Sequence, residues 1–253
     1  MTFIHDRVAK GERLFGTWCN LGSTITAEIA GLAGFDWILI DREHGVGDYG
    51  ELVRQVQAVA ATDAAPIVRI AWNDPVTFKR VLDLGVAGVM VPYVQSAEEA
   101  ALAVRAMRYP PEGIRGVASL NRATGFGVDF AEYFRRANRE LLTIVQIETQ
   151  AGVHQAAAIA AVDGVDVLFV GPLDLSTSLG IQGQYTDPRF LEAIDTVTRA
   201  AAEHGKASGI LTLDEAMLAP MLERGMTFVA HGSDGGLVAK GMRASVAMLR
   251  SLP

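Results

Sequence analysis

Short, strongly apolar runs alternate along this chain with longer stretches whose apolar residues recur at helical spacing. The runs FGTWCN (15–20), DWILID (36–41), APIVRI (65–70), GVMVP (88–92), LTIVQIE (142–148), DVLFVG (166–171), ASGIL (207–211) and TFVAH (227–231) read as strands. The segments ELVRQVQAVAA (51–61), DPVTFKRVLDLG (74–85), SAEEAALAVRAMRY (96–109), FLEAIDTVTRAAAEHG (190–205) and LDEAMLAPMLERG (213–225) read as helices. Asn73-Asp74-Pro75 and Ser96 supply helix starts, and Gly85, Gly205 and Gly225 supply stops. The strands are nearly continuous hydrophobic runs, the pattern of a parallel sheet buried on both faces. Eight of them alternating with helices predict an α/β fold, a (β/α)8 TIM barrel built as one domain over residues 1–253. An open doubly wound sheet is the alternative arrangement. The longest irregular stretch, about 110–128, is rich in Gly and Arg, and a loop of that length in a compact domain often carries function.

Two of the apolar runs end on acidic residues: Gln146-Ile147-Glu148 closes one, and Gly171-Pro172-Leu173-Asp174 follows the next. In a parallel barrel all strand C-termini share one rim, and chemistry sits there. Reading those ends in order gives Trp18 and Asn20, then Asp41, Glu43 and His44, then Arg69, Pro92, Gln146 and Glu148, Gly171 and Asp174, the Ile210 region, and His231. Glu148 and Asp174 on adjacent strand ends form a site for a hard divalent cation such as magnesium, manganese or cobalt, with water completing its shell. Taken singly, either carboxylate could instead cap a helix or sit on the surface. His44 lies three residues after Asp41, and a carboxylate near an imidazole suits a general base. The other reading of His44 is a loop histidine satisfying backbone. Arg69 is nearly surrounded by apolar residues and needs an anion, either a rim carboxylate or an anionic substrate.

Other motifs narrow the chemistry. Gly45-Val46-Gly47-Asp48-Tyr49-Gly50 matches a dinucleotide-binding GxGxxG, but Asp41, Glu43 and Asp48 load the same loop with negative charge, so a plain turn into a helix is expected. The lysines are Lys10, Lys79, Lys206 and Lys240, and none falls at a strand C-terminus, which argues against a Schiff-base mechanism. Cys19 has no positional argument pairing it with a histidine. The net charge of -7 disfavours nucleic acid and anionic membrane surfaces as partners. The single cysteine fits a reducing compartment. The charged N-terminal segment and the lack of a membrane-spanning apolar run point to a soluble cytoplasmic protein.

The stretches FGTWCNLGSTITAEIAGLAGFDWILIDREH, APIVRIAWNDP, VMVPYVQSAEEA, RYPPEGIRGV, VQIET and VGPLDLSTSLG resemble, almost end to end, the HpcH/HpaI group of metal-dependent pyruvate aldolases, whose type activity is 4-hydroxy-2-oxoheptanedioate aldolase. The resemblance implies a (β/α)8 barrel whose last helix is exchanged between subunits of a homo-oligomer, usually a hexamer. It implies Glu148 and Asp174 as metal ligands, His44 as base supported by Asp41, and Arg69 as the residue steadying the pyruvyl oxygen. Gln146 would line the metal shell, with Gly171, Pro172 and Leu173 beside it. Trp18, Leu211 and the surroundings of His231 would form the aldehyde pocket. Arg42, Leu173 and His231-Gly232-Ser233-Asp234 depart from the group's usual residues, all on the acceptor side. The implied reaction is reversible cleavage of a 4-hydroxy-2-oxo acid to pyruvate and an aldehyde, through a pyruvate enolate stabilised by the cation. Arg42, with Arg115 and Arg122 on the long loop, suggests a substrate with an anionic distal end, or else pairs with Glu43, Asp48 or a neighbouring subunit. The rival readings are a citryl- or malyl-CoA lyase relative and a non-catalytic barrel serving as a binding module.

Overall fold

The computed structural model describes residues 2–253. Eight parallel strands close into a barrel in sequence order: β1 (Leu14–Cys19), β2 (Trp37–Asp41), β3 (Ala65–Arg69), β4 (Gly88–Val91), β5 (Leu142–Ile147), β6 (Val167–Val170), β7 (Ala207–Thr212) and β8 (Phe228–Ser233). Every expected strand is present, with ends moved by one or two residues; the open doubly wound sheet is excluded by the pairing of β1 with β8.

Alternation along the strands sorts the side chains into two cores. One set faces outward against the helices and includes Ile38, Ile40, Val68, Val89, Val145, Leu168 and Val170. The other fills the barrel interior and includes Leu14, Trp18, Trp37, Leu39, Ile67, Met90, Ile144, Phe169 and Phe228. The interior is packed with rings: Trp37 stacks on Phe228 with centroids 4.2 Å apart, and Trp18 lies 5.4 Å from Phe169. Glycine makes that density possible. A Cβ on Gly16 would fall 2.2 Å from the Trp37 indole. Ile4 and Val8, flanking and within the short helix His5–Ala9, belong to the same interior cluster and cover the barrel floor.

The helices form where capping and periodicity place them. Asp74 accepts from the backbone N–H of Val76 and Thr77 to start Pro75–Leu82, and Ser96 accepts from Glu99 N–H to start Ala97–Met107. Gly85, Gly205 and Gly225 take left-handed φ values of 78°, 65° and 90° as stops. The helix expected over 213–225 is instead a 3-10 turn, Glu215–Met217, followed by Leu218–Glu223. The Gly-rich turn at 45–50 leads into Tyr49–Ala60 through a capping box of Asp48 and Glu51, an acid-lined helix start rather than a phosphate cradle.

The long loop corrects an expectation. It follows Ala97–Met107, which runs from the rim back toward the floor, so residues 110–128 lie toward the N-terminal ends of the strands. There the buried Arg115 pairs with Asp83 at 3.0 Å and stacks 4.3 Å from the Tyr109 ring, while Arg122 donates to Leu84 O at 2.6 Å. Both arginines serve packing beside the turn into β4 and stand at the far end of their own barrel from its rim. Among the described residues no helix is long and apolar enough to cross a membrane.

Gly16→Ala is expected to destabilise the barrel by about 1–3 kcal/mol through overpacking against Trp37, measurable as a lowered urea midpoint with an unchanged slope.

Candidate active site

The inward-facing columns of the barrel change character at the rim. Trp37 and Leu39 are followed two residues on by Asp41, Ala65 and Ile67 by Arg69, Leu142 and Ile144 by Gln146 and Glu148, and Val167 and Phe169 by Gly171. Period-two alternation therefore brings Asp41, Arg69, Gln146 and Glu148 to one place on top of the aromatic fill. All four are buried, between 2% and 8% exposed.

Arg69 is the cation of this cluster. Its Nε and Nη2 donate to the two oxygens of Asp41 at 2.9 and 2.7 Å, a bidentate pair, and its Nη1 lies 2.9 Å from Glu43 Oε2, too poorly aligned for a hydrogen bond. The Trp18 ring supports the guanidinium from 5.8 Å. Burial alone would push the Asp41 carboxyl up, but Arg69 and the backbone N–H groups of Glu43 and His44 outweigh it and hold Asp41 below the usual range. Burial likewise works against the Arg69 charge, yet Asp41 and Glu43 more than compensate and its pKa is raised.

Glu148 faces this pair from β5. Its Oε1 accepts from Gln146 Nε2 at 2.7 Å and its Oε2 from the backbone N–H of Tyr93 at 3.1 Å. Tyr93 holds a left-handed φ of 58°, strained for a non-glycine residue, in the turn that delivers this N–H. Gly171 makes room: a Cβ there would fall 2.3 Å from Glu148 Oε1. Burial, then the charges of Asp174 and Glu43, push the Glu148 carboxyl up to about 7. Asp174, exposed in the first turn of Pro172–Ser178, thus bears on the same space.

His44 stands at the edge. Its side chain is 73% exposed, with Nε2 3.9 Å from Glu43 Oε1. The expected contact between Asp41 and the imidazole is not formed. Asp41 is committed to Arg69 and accepts only the backbone N–H of His44, at 3.3 Å. Asp41 therefore shapes the loop that carries His44, and the carboxylate nearest the ring is Glu43.

A match to the HpcH/HpaI aldolase/citrate lyase family extends over residues 14–241. The chain belongs to that family. It is 45% identical over 241 residues to a pyruvate aldolase of Rhizobium etli, covering 95% of this chain and 94% of the relative. It is 46% identical over 222 residues to a 5-keto-4-deoxy-D-glucarate aldolase of Escherichia coli K12, covering 88% and 86%. The crystal structure of a family protein from Burkholderia cenocepacia superposes with a TM-score of 0.93 at 36% identity, covering 98% of this chain and 99% of that one. The protein is an aldolase, a carbon–carbon lyase.

Within this family site the remaining sequence expectations divide. Leu211 is partly buried against the interior cluster near the rim, and Leu173 is half exposed beside Asp174. Trp18 is only 4% exposed and forms the floor under Arg69 rather than an open pocket wall. Arg42 is engaged with its own loop: its guanidinium donates to Val46 O at 3.2 Å and to Gly47 O, bracing the 43–47 turn. His231 Nδ1 lies 3.3 Å from Thr212 Oγ1 at the end of β7. Cys19 is buried, and burial with the Asp234 charge pushes its thiol up to about 12, so it is no nucleophile. Glu43 is one of the rim carboxylates that the sequence offers Arg69 as partners. One contributor escapes sequence reasoning: the Tyr93 N–H has no signal, because a left-handed turn at a tyrosine leaves no mark in composition. A polar cleft of about 850 Å³ opens at the opposite end of the barrel, where several lining groups pair with one another, as in Arg108–Asp163, Arg136–Glu140 and His5–Asp166.

The donor set fits a hard divalent cation. No group of three or more His, Cys, Asp or Glu side chains among the described residues is placed to hold a metal alone. Two carboxylates suffice for an ion that keeps most of its ligands as water and substrate oxygens. The burial and the neighbouring acids that raise Glu148, together with the buried and unpartnered Oε1 of Gln146, mark a place where positive charge and a hydrogen-bond donor are wanted.

The raised Glu148 has a stability consequence. From about pH 4.5 to 7 the unfolded chain releases this proton while the folded chain keeps it, so stability falls as pH rises, by about 3 kcal/mol for a shift of this size. Glu148→Gln is expected to remove that decline. Urea unfolding in chelator should show the variant gaining on wild type across this window, with a constant difference above it.

Proposed function

We propose that this aldolase cleaves and forms 4-hydroxy-2-oxo acids, with pyruvate as one product and an aldehyde as the other, in a divalent-metal-dependent reaction. The observation that carries the reading is the acidic cluster of Glu148, Asp174 and Glu43 opposite the Asp41-locked Arg69. Glu148 and Asp174 would hold magnesium, manganese or cobalt, whose charge, when bound, would acidify the protons next to a keto group. Arg69 is fixed by Asp41 and so offers its charge to a developing enolate oxygen without reorganising. Gln146 orients Glu148 through Nε2 and keeps Oε1 free for a donor. Gly171 leaves the space that a compact keto acid would share with Glu148, and Pro172 and Leu173 bound it. His44, exposed at the rim, would take the methyl proton in the synthetic direction, directly or through water, and the 4-hydroxyl proton in cleavage. Leu211 and the His231 end of β8 would meet the aldehyde. The name of the Escherichia coli relative favours a sugar-acid-derived substrate.

We further propose that residues 1–253 act as one barrel domain within a homo-oligomer, with the last helix exchanged between subunits. The helix Asp234–Arg250 touches its own barrel only near its start, every residue from 240 to 253 is exposed, and Leu237, Met242, Val246 and Leu249 have no cover. A second copy is the natural cover, a hexamer being the family expectation. With one buried cysteine, the cytoplasm is the location we propose.

In deuterated water with magnesium or manganese, wild type is expected to exchange the methyl protons of pyruvate. Chelator should abolish the exchange, and His44→Ala should slow it about 10²–10⁴-fold. Exchange that persists in chelator, or that survives the histidine change, would remove the reading. Ending the chain after Gly236 is expected to lower the light-scattering mass to that of a monomer or a smaller assembly, while an unchanged mass would rule out helix exchange.

A further inference from the structure

The loop that carries His44 is built against a turn that is itself tied to the start of the last helix. Asp234, the first residue of Asp234–Arg250, is 6% exposed and makes no ion pair among the described residues. Its Oδ1 accepts from the backbone N–H groups of Asn20 and Leu21 at 2.9 and 3.3 Å, and its Oδ2 accepts from Thr26 Oγ1 at 2.6 Å. Asn20 O in turn accepts from Val46 N–H at 2.9 Å, and a Cβ on Gly22 would lie 2.7 Å from Val46 O, so the 20–22 turn and the 46–47 backbone are in direct contact. Arg42 closes the other side of the same loop by donating to Val46 O.

We infer that Asp234 is a positioning residue for the base, linking the seating of the last helix to the placement of His44. The inference rests on the reading of His44 given above. A buried carboxylate with four hydrogen-bond donors, the fourth being the N–H of Gly235 at 2.8 Å, cannot drift without leaving those donors unpaired, so it fixes the 20–22 turn firmly. That turn sets where Val46 sits, and the short span between the Asp41–Arg69 pair and Val46 leaves His44 little freedom. Glu148 and Asp174 stand on the β5–β6 side of the barrel, outside this chain of contacts, so the link acts on the base and leaves the cation ligands alone. A helix that leaves its own barrel for another copy would by this route make the base's position sensitive to assembly.

The test compares wild type with Asp234→Ala, Asp234→Asn and Thr26→Val in the full-length protein. Amide hydrogen exchange over residues 20–22 and 43–48 should accelerate together by about 10–100-fold in Asp234→Ala, the factor expected from losing hydrogen bonds to a charged acceptor, while floor segments such as 160–166 keep their protection. The same segments should accelerate less in Thr26→Val, which keeps the aspartate and provides the measurement should Asp234→Ala fail to fold. Pyruvate methyl exchange at saturating pyruvate should fall by about tenfold or more in Asp234→Ala, with KM and manganese affinity within about twofold of wild type, and Asp234→Asn should recover most of the rate. Acceleration confined to 20–22 with 43–48 unchanged, or a loss carried entirely in manganese affinity, overturns the inference. If wild type exchanges no methyl protons with any cation, the enolisation reading fails, and the amide exchange still decides whether Asp234 holds the His44 loop.

Discussion

The site depends on one buried guanidinium. Arg69 sits at the end of an apolar strand, where a lone charge would be prohibitive, and it is tolerated because Asp41 meets it with both oxygens and Glu43 adds a third contact. The dependence runs both ways, since Asp41 is only 3% exposed and keeps its charge through Arg69. Around this pair the acids outnumber the bases: Glu43, Glu148 and Asp174 bear on the same space, and burial, and after it the neighbouring acids, raise the Glu43 and Glu148 carboxyls. A pocket so arranged holds an excess of negative charge that a bound cation would relieve. The proposed metal dependence is the chemical expression of that imbalance.

The barrel turns a rule of alternation into a constellation. Each inward column delivers one polar side chain just above the ring-filled interior, and the interior gives that side chain a rigid seat. Small residues are spaced to match. Gly16 admits the Trp37 indole in the fill, and Gly171 admits the Glu148 carboxylate at the rim. The same absence of a Cβ thus serves packing in one place and charge placement in another.

Much of this was legible in the chain. The strands could be read because both faces are buried, which makes them apolar throughout, and the rim could be read because each run ends where that burial stops. Asp41, Arg69, Gln146 and Glu148 fall where the sequence puts them for that reason. Partner choice was not legible. Arginine has a long reach and many donors, so Arg42, Arg115 and Arg122 could be recognised as important but not assigned; they hold a backbone turn, a buried tyrosine pair and a carbonyl near the floor. A spacing of three residues suggests Asp41 as a partner of the His44 ring, yet its inward direction along β2 commits it to the neighbouring strand. Tyr93 contributes through a backbone angle, which no side-chain pattern records.

The filled interior also sets the traffic. With indole and phenyl rings below the reacting groups and Ile4 and Val8 beneath them, no passage leads through the barrel, so substrate and products share one doorway. Arrivals and departures must then queue. A product that lingers at the threshold would hold its partner behind it, and a slow exit would show as product inhibition even where bond making and breaking are fast.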